Sequence, residues 1–481
     1  MNHTIKFSFL FIMALTGLQT TAQTNSNKPN VIILFADDMR ANTIHALGNK
    51  EVITPNLDQL VKSGTAFPHA YNMGGHTGAV CVSSRAMLMT GQTIHRLGSS
   101  KTEIPDNYTL LGSVFQSNNY QTYGIGKWHN GTQSYSENFK GGAEIMFGGM
   151  TSSQFDVPLN HFNPQGVYGR KDEPANPKNR DLPVIADHKY AGKHSAEIFA
   201  DAAIGFLNSE QSKKPFFLYV AFTTPHDPRQ VPQQYYDLYD TAKIALPVNF
   251  LPEHPFDNGH MQGRDEKLLG FPRIPKEVKG EIRDYYATIT HLDAQVGRII
   301  KALKESGQDE NTIIIFAGDN GLAIGQHGLM GKQSLYEHSI GVPMIWSGAG
   351  IAKDKRSMAY CYLTDIYPTL CDVLKIQKPA TVDGQSFAKS LKNPDSPLHN
   401  KVYFAFRDFQ RAVSDRRYKL IEYNVKKVRT TQLFDLSKDP YERNNLANNA
   451  EFKPLVGKLR ADLLKYKDLS GDAQSPFWTG F

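Results

Sequence analysis

Two short acidic pairs stand directly behind apolar runs: Asp37-Asp38 follows VIILFA, and Asp319-Asn320 follows IIIFAG. If those runs are buried strands, the acids sit beyond the strands' carboxyl ends, where neighbouring carboxylates repel unless a cation neutralises them. An all-oxygen donor set suits Ca²⁺ or Mg²⁺ rather than Zn²⁺. One such Asp alone reads more simply as a turn cap; two, each behind a buried strand, favour a metal. Cys81 lies in GAVCVSSRAMLMTG, where small residues lead into a helix expected to begin near Ser84. A thiol at a helix N-terminus beside Arg85 is expected to have a lowered pKa, which points to a nucleophile or a modified residue; the alternative is an inert buried thiol, a common role for Cys.

Gly126-Lys127-Trp128-His129 and Pro225-His226-Asp227-Pro228 each follow a strand-like run. His129 and His226 supply acid–base groups near neutral pH, and Lys127 supplies a point charge for an anion. A lone His is usually structural, but two at strand ends in one sheet with two acidic sites are harder to dismiss. Lys332, in HGLMGKQSLYEHS behind the second acidic site, is a further cationic candidate. A hard cation, fixed cationic side chains and a nucleophile together suit a tetrahedral oxyanion, a sulfate or phosphate ester. Residue chemistry alone leaves the choice between the two open.

The elements that must hold these residues are legible. Residues 30–36, 121–125, 215–222, 312–317 and 342–346 read as short buried strands. Between them, helices are expected over 54–64 (Thr54 as cap, Pro55 in the first turn, Gly64 as stop), 84–89, 108–116 and 276–306. That alternation predicts an α/β sheet with helices on both faces and a ligand site beyond its carboxyl ends. Residues 160–193 and 247–275 read as long functional loops. After residue 396 short strands (401–406, 410–414, 418–423, 432–435) and a helix over 453–466 predict a smaller α+β subdomain. The domain expectation is therefore a leader over 1–23, a catalytic domain over 24–395 and a C-terminal subdomain over 396–481. The leader rests on Lys6, the apolar run FSFLFIMALTGL and the small residues near Ala22, which read as a signal peptide for export to a periplasm or the medium.

Composition agrees with an ordinary globular chain: 481 residues, 40% hydrophobic, 11% aromatic, net charge +6. That balance excludes wholesale disorder, fits an anionic substrate, and is too weak to argue for nucleic acid. The leader reads as a signal rather than a membrane span, and no other apolar run is long enough to cross a bilayer, so no membrane insertion is expected. Three Cys exclude a disulfide scaffold and a Cys-based zinc module.

Read together, these segments resemble the type I, formylglycine-dependent sulfatases of the alkaline phosphatase superfamily. The family signature (Cys or Ser, any residue, Pro or Ala, Ser, Arg, four residues, Thr-Gly) is similar to Cys81-Val82-Ser83-Ser84-Arg85 with Thr90-Gly91. NVIILFADD, TPNLDQLVKSGTAF, GIGKWHNG, TTPHDP, FAGDNG, GKQSLYEHSIGVPMI and LFDLSKDPYERNNLA follow in the family's order. The resemblance implies an alkaline phosphatase-like fold, a large mixed sheet sandwiched by helices with a smaller C-terminal α+β subdomain. It implies oxidation of Cys81 to formylglycine by a maturation enzyme, the aldehyde hydrate attacking sulfur and the second hydroxyl later giving up its proton to expel the sulfate. It also implies one Ca²⁺ held by Asp37, Asp38, Asp319, Asn320 and residue 81. By the same match, Arg85 orients the diol, Lys127 and Lys332 grip sulfate oxygens, His129 aids sulfate elimination and His226 protonates the leaving oxygen.

Three departures stand out. Ser83 replaces the Pro or Ala read during maturation. Asn320 stands where many members have His. Ser339-Ile340-Gly341 lacks the Arg often found there. The implied substrate is a sulfated polysaccharide, algal (ulvan or carrageenan) ahead of host mucins or glycosaminoglycans. Arg170, Lys171, Arg180, Arg229, His76 and His338 are weaker candidates for contacts to it. The alternatives are a phosphate or phosphonate monoester hydrolase of the same superfamily, and a non-catalytic polyanion-binding module.

Overall fold

The computed structural model describes residues 1, 28–98, 104–168 and 186–481. The expected leader, Met1 apart, and Arg170, Lys171 and Arg180 lie outside the described residues. The chain builds an eight-stranded mixed sheet in the order Lys355–Arg356, Gly64–Ala66, Met344–Gly348, Thr312–Gly318, Asn30–Asp37, Phe216–Pro225, Gln121–Lys127, Gly141–Met146. The last five are mutually parallel, whereas Met344–Gly348 runs antiparallel to Thr312–Gly318.

Both faces of the sheet are covered, which explains the unbroken apolar runs. Side chains alternate along a strand. Val31, Ile33, Phe35, Ile313 and Ile315 face a core shared with the helices Val80–Thr90 and Ile366–Leu374. Ile32, Leu34, Ile314 and Phe316 face a second core against Pro55–Ser63, Ser195–Leu207 and Pro275–Glu305. The long helix has a further task. Asp293 on it accepts hydrogen bonds from the backbone N–H groups of Asn56 and Leu57, at 3.2 and 2.7 Å. Thr54 occupies the expected cap position of Pro55–Ser63, but its side chain makes no capping bond. A buried carboxylate from a distant helix satisfies those donors instead.

The C-terminal strands Val402–Phe406, Gln410–Ser414, Tyr418–Val425 and Val428–Asp435 form an antiparallel meander. The helix Lys453–Ser470 packs on it through Val456, Leu459 and Leu463. A fifth strand, Gly74–Gly75, joins this sheet parallel to Val402–Phe406. The segment just ahead of Cys81 is thereby tied to the C-terminal sheet. Two sequence expectations shift. The Cys81 helix begins at Val80 rather than near Ser84, and the helix expected from 108 begins at Leu111. The helices Ser195–Leu207 and Ile366–Leu374 and the edge strand Gly141–Met146 were not anticipated. Cys81, Cys361 and Cys371 are all buried and free. Among the described residues no helix is long and apolar enough to cross a membrane.

Candidate active site

Four adjacent parallel strands end side by side, and each ends at a candidate residue. Thr312–Gly318 delivers Asp319, Asn30–Asp37 delivers Asp37 and Asp38, Phe216–Pro225 delivers His226, and Gln121–Lys127 delivers Lys127. The in-register pairing of Ala36 with Gly318 puts the two acidic pairs next to each other across 282 residues of sequence. Bonds between the pairs then fix them. The Asp38 N–H donates to Asp319 Oδ1 at 2.9 Å, and Asn320 Nδ2 donates to Asp38 Oδ1 at 2.7 Å.

The helix Val80–Thr90 enters this cluster with Cys81 and Arg85 one turn apart, hence on one face. Fully buried Arg85 donates twice to Asp319 Oδ2, at 3.2 and 3.0 Å, and once to the Lys127 carbonyl at 2.7 Å. The Cys81 Sγ lies 3.4 Å from His129 Nδ1, and the ligand atoms of Asp37, Cys81 and Asp319 lie within 4.8 Å of one another. Gly149 makes room for the His129 ring: a Cβ there would stand 2.2 Å from Nε2. Gly126 lets its strand approach closely, since a Cβ there would stand 2.0 Å from the Ala221 oxygen and its φ is +82°. Lys127 Nζ bonds Asp37 Oδ2, and Lys332 Nζ donates to Asp38 Oδ1 at 2.6 Å. His226 donates from Nδ1 to the Asp227 carbonyl at 2.7 Å, which leaves Nε2 facing Asp38 Oδ2 at 3.6 Å.

Charge explains the state of each group. Burial would raise Asp37, but Lys127, His226 and Arg85 outweigh it and hold the carboxyl well below its usual range. Asp319 moves the other way, raised by burial and by the nearby Asp37 charge. Burial, with Lys127 and Arg85, pushes His129 well down, so its ring is neutral. Cys81 corrects the sequence expectation: burial raises its thiol, and the opposing fields of Lys127 and Lys332 do not reverse this. An unmodified Cys81 is therefore a protonated thiol and a poor nucleophile. Two acceptors, Asp37 Oδ1 and Asn320 Oδ1, are buried here without a hydrogen-bond partner. Paired with the neighbouring carboxylates, such orphan oxygens fit a hard divalent cation.

The weaker candidates fare differently. His76 is bonded through Nε2 to the Ile94 carbonyl at 2.7 Å and lines a small recess with Val82, Ser83 and Ala86. His338 is half-buried, its ring nitrogens 3.3 Å from His327 Nδ1 and 2.9 Å from Ser339 Oγ, so neither faces the acidic cluster. Arg229 is buried in an ion pair with Glu281 and is not a free cation for a second sulfate. It lines a cleft of about 320 Å³ with Asp227, Arg264, Glu281 and Asp284. Sequence reasoning missed Asp265, whose charge opposes that of buried Lys332, and Arg264, which clamps Asp227 beside His226. Both lie in the loop singled out at 247–275, but an aperiodic loop offers no signal for choosing single residues.

A site of acids, a cysteine-bearing helix and convergent cations at the strand ends of a mixed α/β sheet belongs to the ester hydrolases of tetrahedral oxyanions. The family comparison is more specific. The sulfatase profile matches residues 29–376, and a profile for the C-terminal part of N-sulphoglucosamine sulphohydrolase matches residues 325–468. The chain belongs to the sulfatase family and is a sulfuric ester hydrolase. It is 28% identical to an arylsulfatase of Clostridium perfringens, over 91% of this chain and 94% of that one. It is 26% identical to an ulvan-active sulfatase of Formosa agariphila, over 97% of this chain and 86% of the relative. A solved structure in complex with its substrate D-glucosamine-2-N,6-O-disulfate shares the fold. Its TM-score is 0.75 at 20% identity, the match spanning 93% of this chain and 99% of that one.

Proposed function

We propose that this sulfatase releases inorganic sulfate from a sulfated polysaccharide or its oligosaccharides, using residue 81 as formylglycine and one Ca²⁺. The observation that carries the reading is the convergence of Cys81 with Asp37 and Asp319, ringed by Lys127, Lys332, His129 and His226. The cation would be held by Asp37, Asp38, Asp319, Asn320 and residue 81, and two orphan oxygens support that set. When present, the hydrated aldehyde and the cation supply a nucleophile toward sulfur and a Lewis acid for its oxygens.

The remaining work falls to side chains of the chain. Three carboxylates already face Arg85, Lys127 and Lys332. The cluster is thus near neutrality by itself; a dication with the singly charged sulfate ester leaves it slightly positive, and the released sulfate dianion returns it to neutrality. Lys127 and Lys332 are placed to turn from the carboxylates to sulfate oxygens, where charge grows in the transition state. His129, kept neutral, takes up a proton from residue 81 through Nδ1. His226 has its Nδ1–H held by the Asp227 carbonyl, so Nε2 is the atom that delivers a proton to the leaving oxygen.

The cleft beside His226 supports a sugar leaving group. Its guanidiniums are already paired with carboxylates, which leaves hydroxyl-binding groups rather than a surplus of positive charge. Ulvan-active relatives favour an algal polysaccharide. Export to the periplasm or medium, and a maturation enzyme that accepts Ser83, are part of the same proposal. The test is Cys81→Ala assayed for sulfate release from ulvan and carrageenan oligosaccharides and from an aryl sulfate, with aryl phosphate as the rival substrate. Loss of at least about 10³-fold in turnover, in a variant that melts like the parent, is expected. Retained activity, or a many-fold preference of the parent for phosphate, would overturn the proposal. Mass measurement of the Cys81 peptide gives the state of the residue directly.

A further inference from the structure

A second cluster of metal-binding side chains lies away from the strand ends, along the outer edge strand Gly141–Met146. Two isolated backbone bridges, Ile145 with Asn160 and Leu159 with His188, fix three short stretches of chain beside each other there. They bring His161, Asp187 and His188 together, with ligand atoms within 4.8 Å of one another. The Nδ1 atoms of both imidazoles converge on one carboxylate oxygen, Asp187 Oδ1: His161 at 3.1 Å, and His188 in a closer contact. The other oxygen, Oδ2, is held by the His161 N–H at 3.0 Å. Ligands about 2 Å from a tetrahedral ion stand roughly 3.3 Å apart, so small side-chain adjustments reach that geometry.

The surroundings of His188 give the cluster direction. Its far nitrogen, Nε2, meets Glu144 Oε2 at 2.7 Å, and the Tyr190 hydroxyl donates to the other Glu144 oxygen at 2.9 Å. A metal-bound imidazole characteristically donates its second N–H to a carboxylate, which fixes the ring and leaves the opposite lone pair for the ion. Without an ion, His188 bonds both Asp187 and Glu144 only as an imidazolium. With one, the neutral ring satisfies both sides. His188 and Glu144 are mostly covered, whereas the His161 side chain is 73% exposed. An ion could therefore enter from solvent and keep a water ligand.

We propose that His161, Asp187 and His188 form a second divalent-metal site, with Glu144 as the support of His188, and that its nitrogen-rich donors select Zn²⁺. The all-oxygen cluster at Asp37 and Asp319 prefers a harder ion, so the two sites differ in kind. The inference does not depend on the catalytic proposal. The test uses full-length protein held in excess Ca²⁺ in a Cys81→Ala background, which removes the reactive-site thiol as a zinc ligand. Equilibrium dialysis with Zn²⁺ is expected to show one bound ion, and Co²⁺ a visible d–d spectrum. His161→Ala, an exposed change with little cost to folding, should weaken binding at least about tenfold, and Glu144→Gln by about tenfold through the support alone. No uptake of Zn²⁺ or Co²⁺, or uptake that His161→Ala leaves unchanged, would overturn the proposal.

Discussion

Two of the molecule's buried groups of charge are built to opposite ends. At the strand ends, Asp37, Asp38 and Asp319 face Arg85, Lys127 and Lys332, yet two acceptors stay without partners. Beneath the C-terminal sheet, fully buried Lys419 stands 2.9 Å from Glu337 and 2.8 Å from Glu442. Glu442 Oε2 also accepts from the Glu337 N–H at 2.7 Å. Glu442 Oε1 makes no hydrogen bond, but its charge is met by Lys419 Nζ at 2.8 Å, and the second group staples the C-terminal meander to the segment behind Lys332. An ion cluster with oxygen left open invites a ligand, whereas one closed by its own lysine holds elements together.

Substitutions that remove one lysine from each group should separate these roles. The largest effect is expected at the strand ends, where Lys127→Met should lower kcat for sulfate esters by about 10²–10³-fold, read on protein that still melts cooperatively. Activity within a few-fold of the parent would mean that Lys127 serves Asp37 alone. Lys419→Met should do the reverse. Buried Glu442 and half-buried Glu337 would be left without their cation, at a cost of about 3 kcal/mol in chemical denaturation, with turnover per folded molecule nearly unchanged. A loss of turnover larger than the loss of stability would make the staple part of the site.

A smaller, pH-dependent effect sharpens the contrast. His327 stacks on Tyr336 beside this staple, and burial lowers its pKa to about 4, against the pull of its bond to the Glu442 carbonyl. Its folded value lies below the unfolded one of about 6.5, so the unfolded chain binds the proton first. The stabilising effect of a neutral ring is present above pH 6.5 and is lost as pH falls toward 4. His327→Gln should flatten the fall of unfolding free energy over that window, by an amount on the order of 1–2 kcal/mol. An unchanged slope would assign the acid sensitivity to other buried histidines.

Much of the proposed site could be read in the sequence because its residues sit at element ends. Strand runs, turn residues and the Cys81 motif carry local signals, and a side chain at a strand terminus inherits its position from the strand. Local reading failed where the deciding partner was remote. Thr54 looked like a cap, but Asp293 from the long helix took the bonds. Arg229 and His338 looked like free polar groups, but Glu281 and the His327–Tyr336 stack engage them. Cys81 looked acidic from its helix position, yet burial raised its thiol.

From sequence alone come the α/β alternation, the two acidic pairs, the lysine and histidine loops and the resemblance to sulfatases, because periodicity and motif spacing are properties of neighbouring residues. Tertiary structure alone decided the strand order that sets Asp37 beside Asp319, the tie of Gly74–Gly75 into the C-terminal sheet, and the meeting of His161 with His188. It also decided which buried charges are closed and which stay open. Those outcomes depend on desolvation and on partners far away in the chain, and neither is encoded in any short window of sequence.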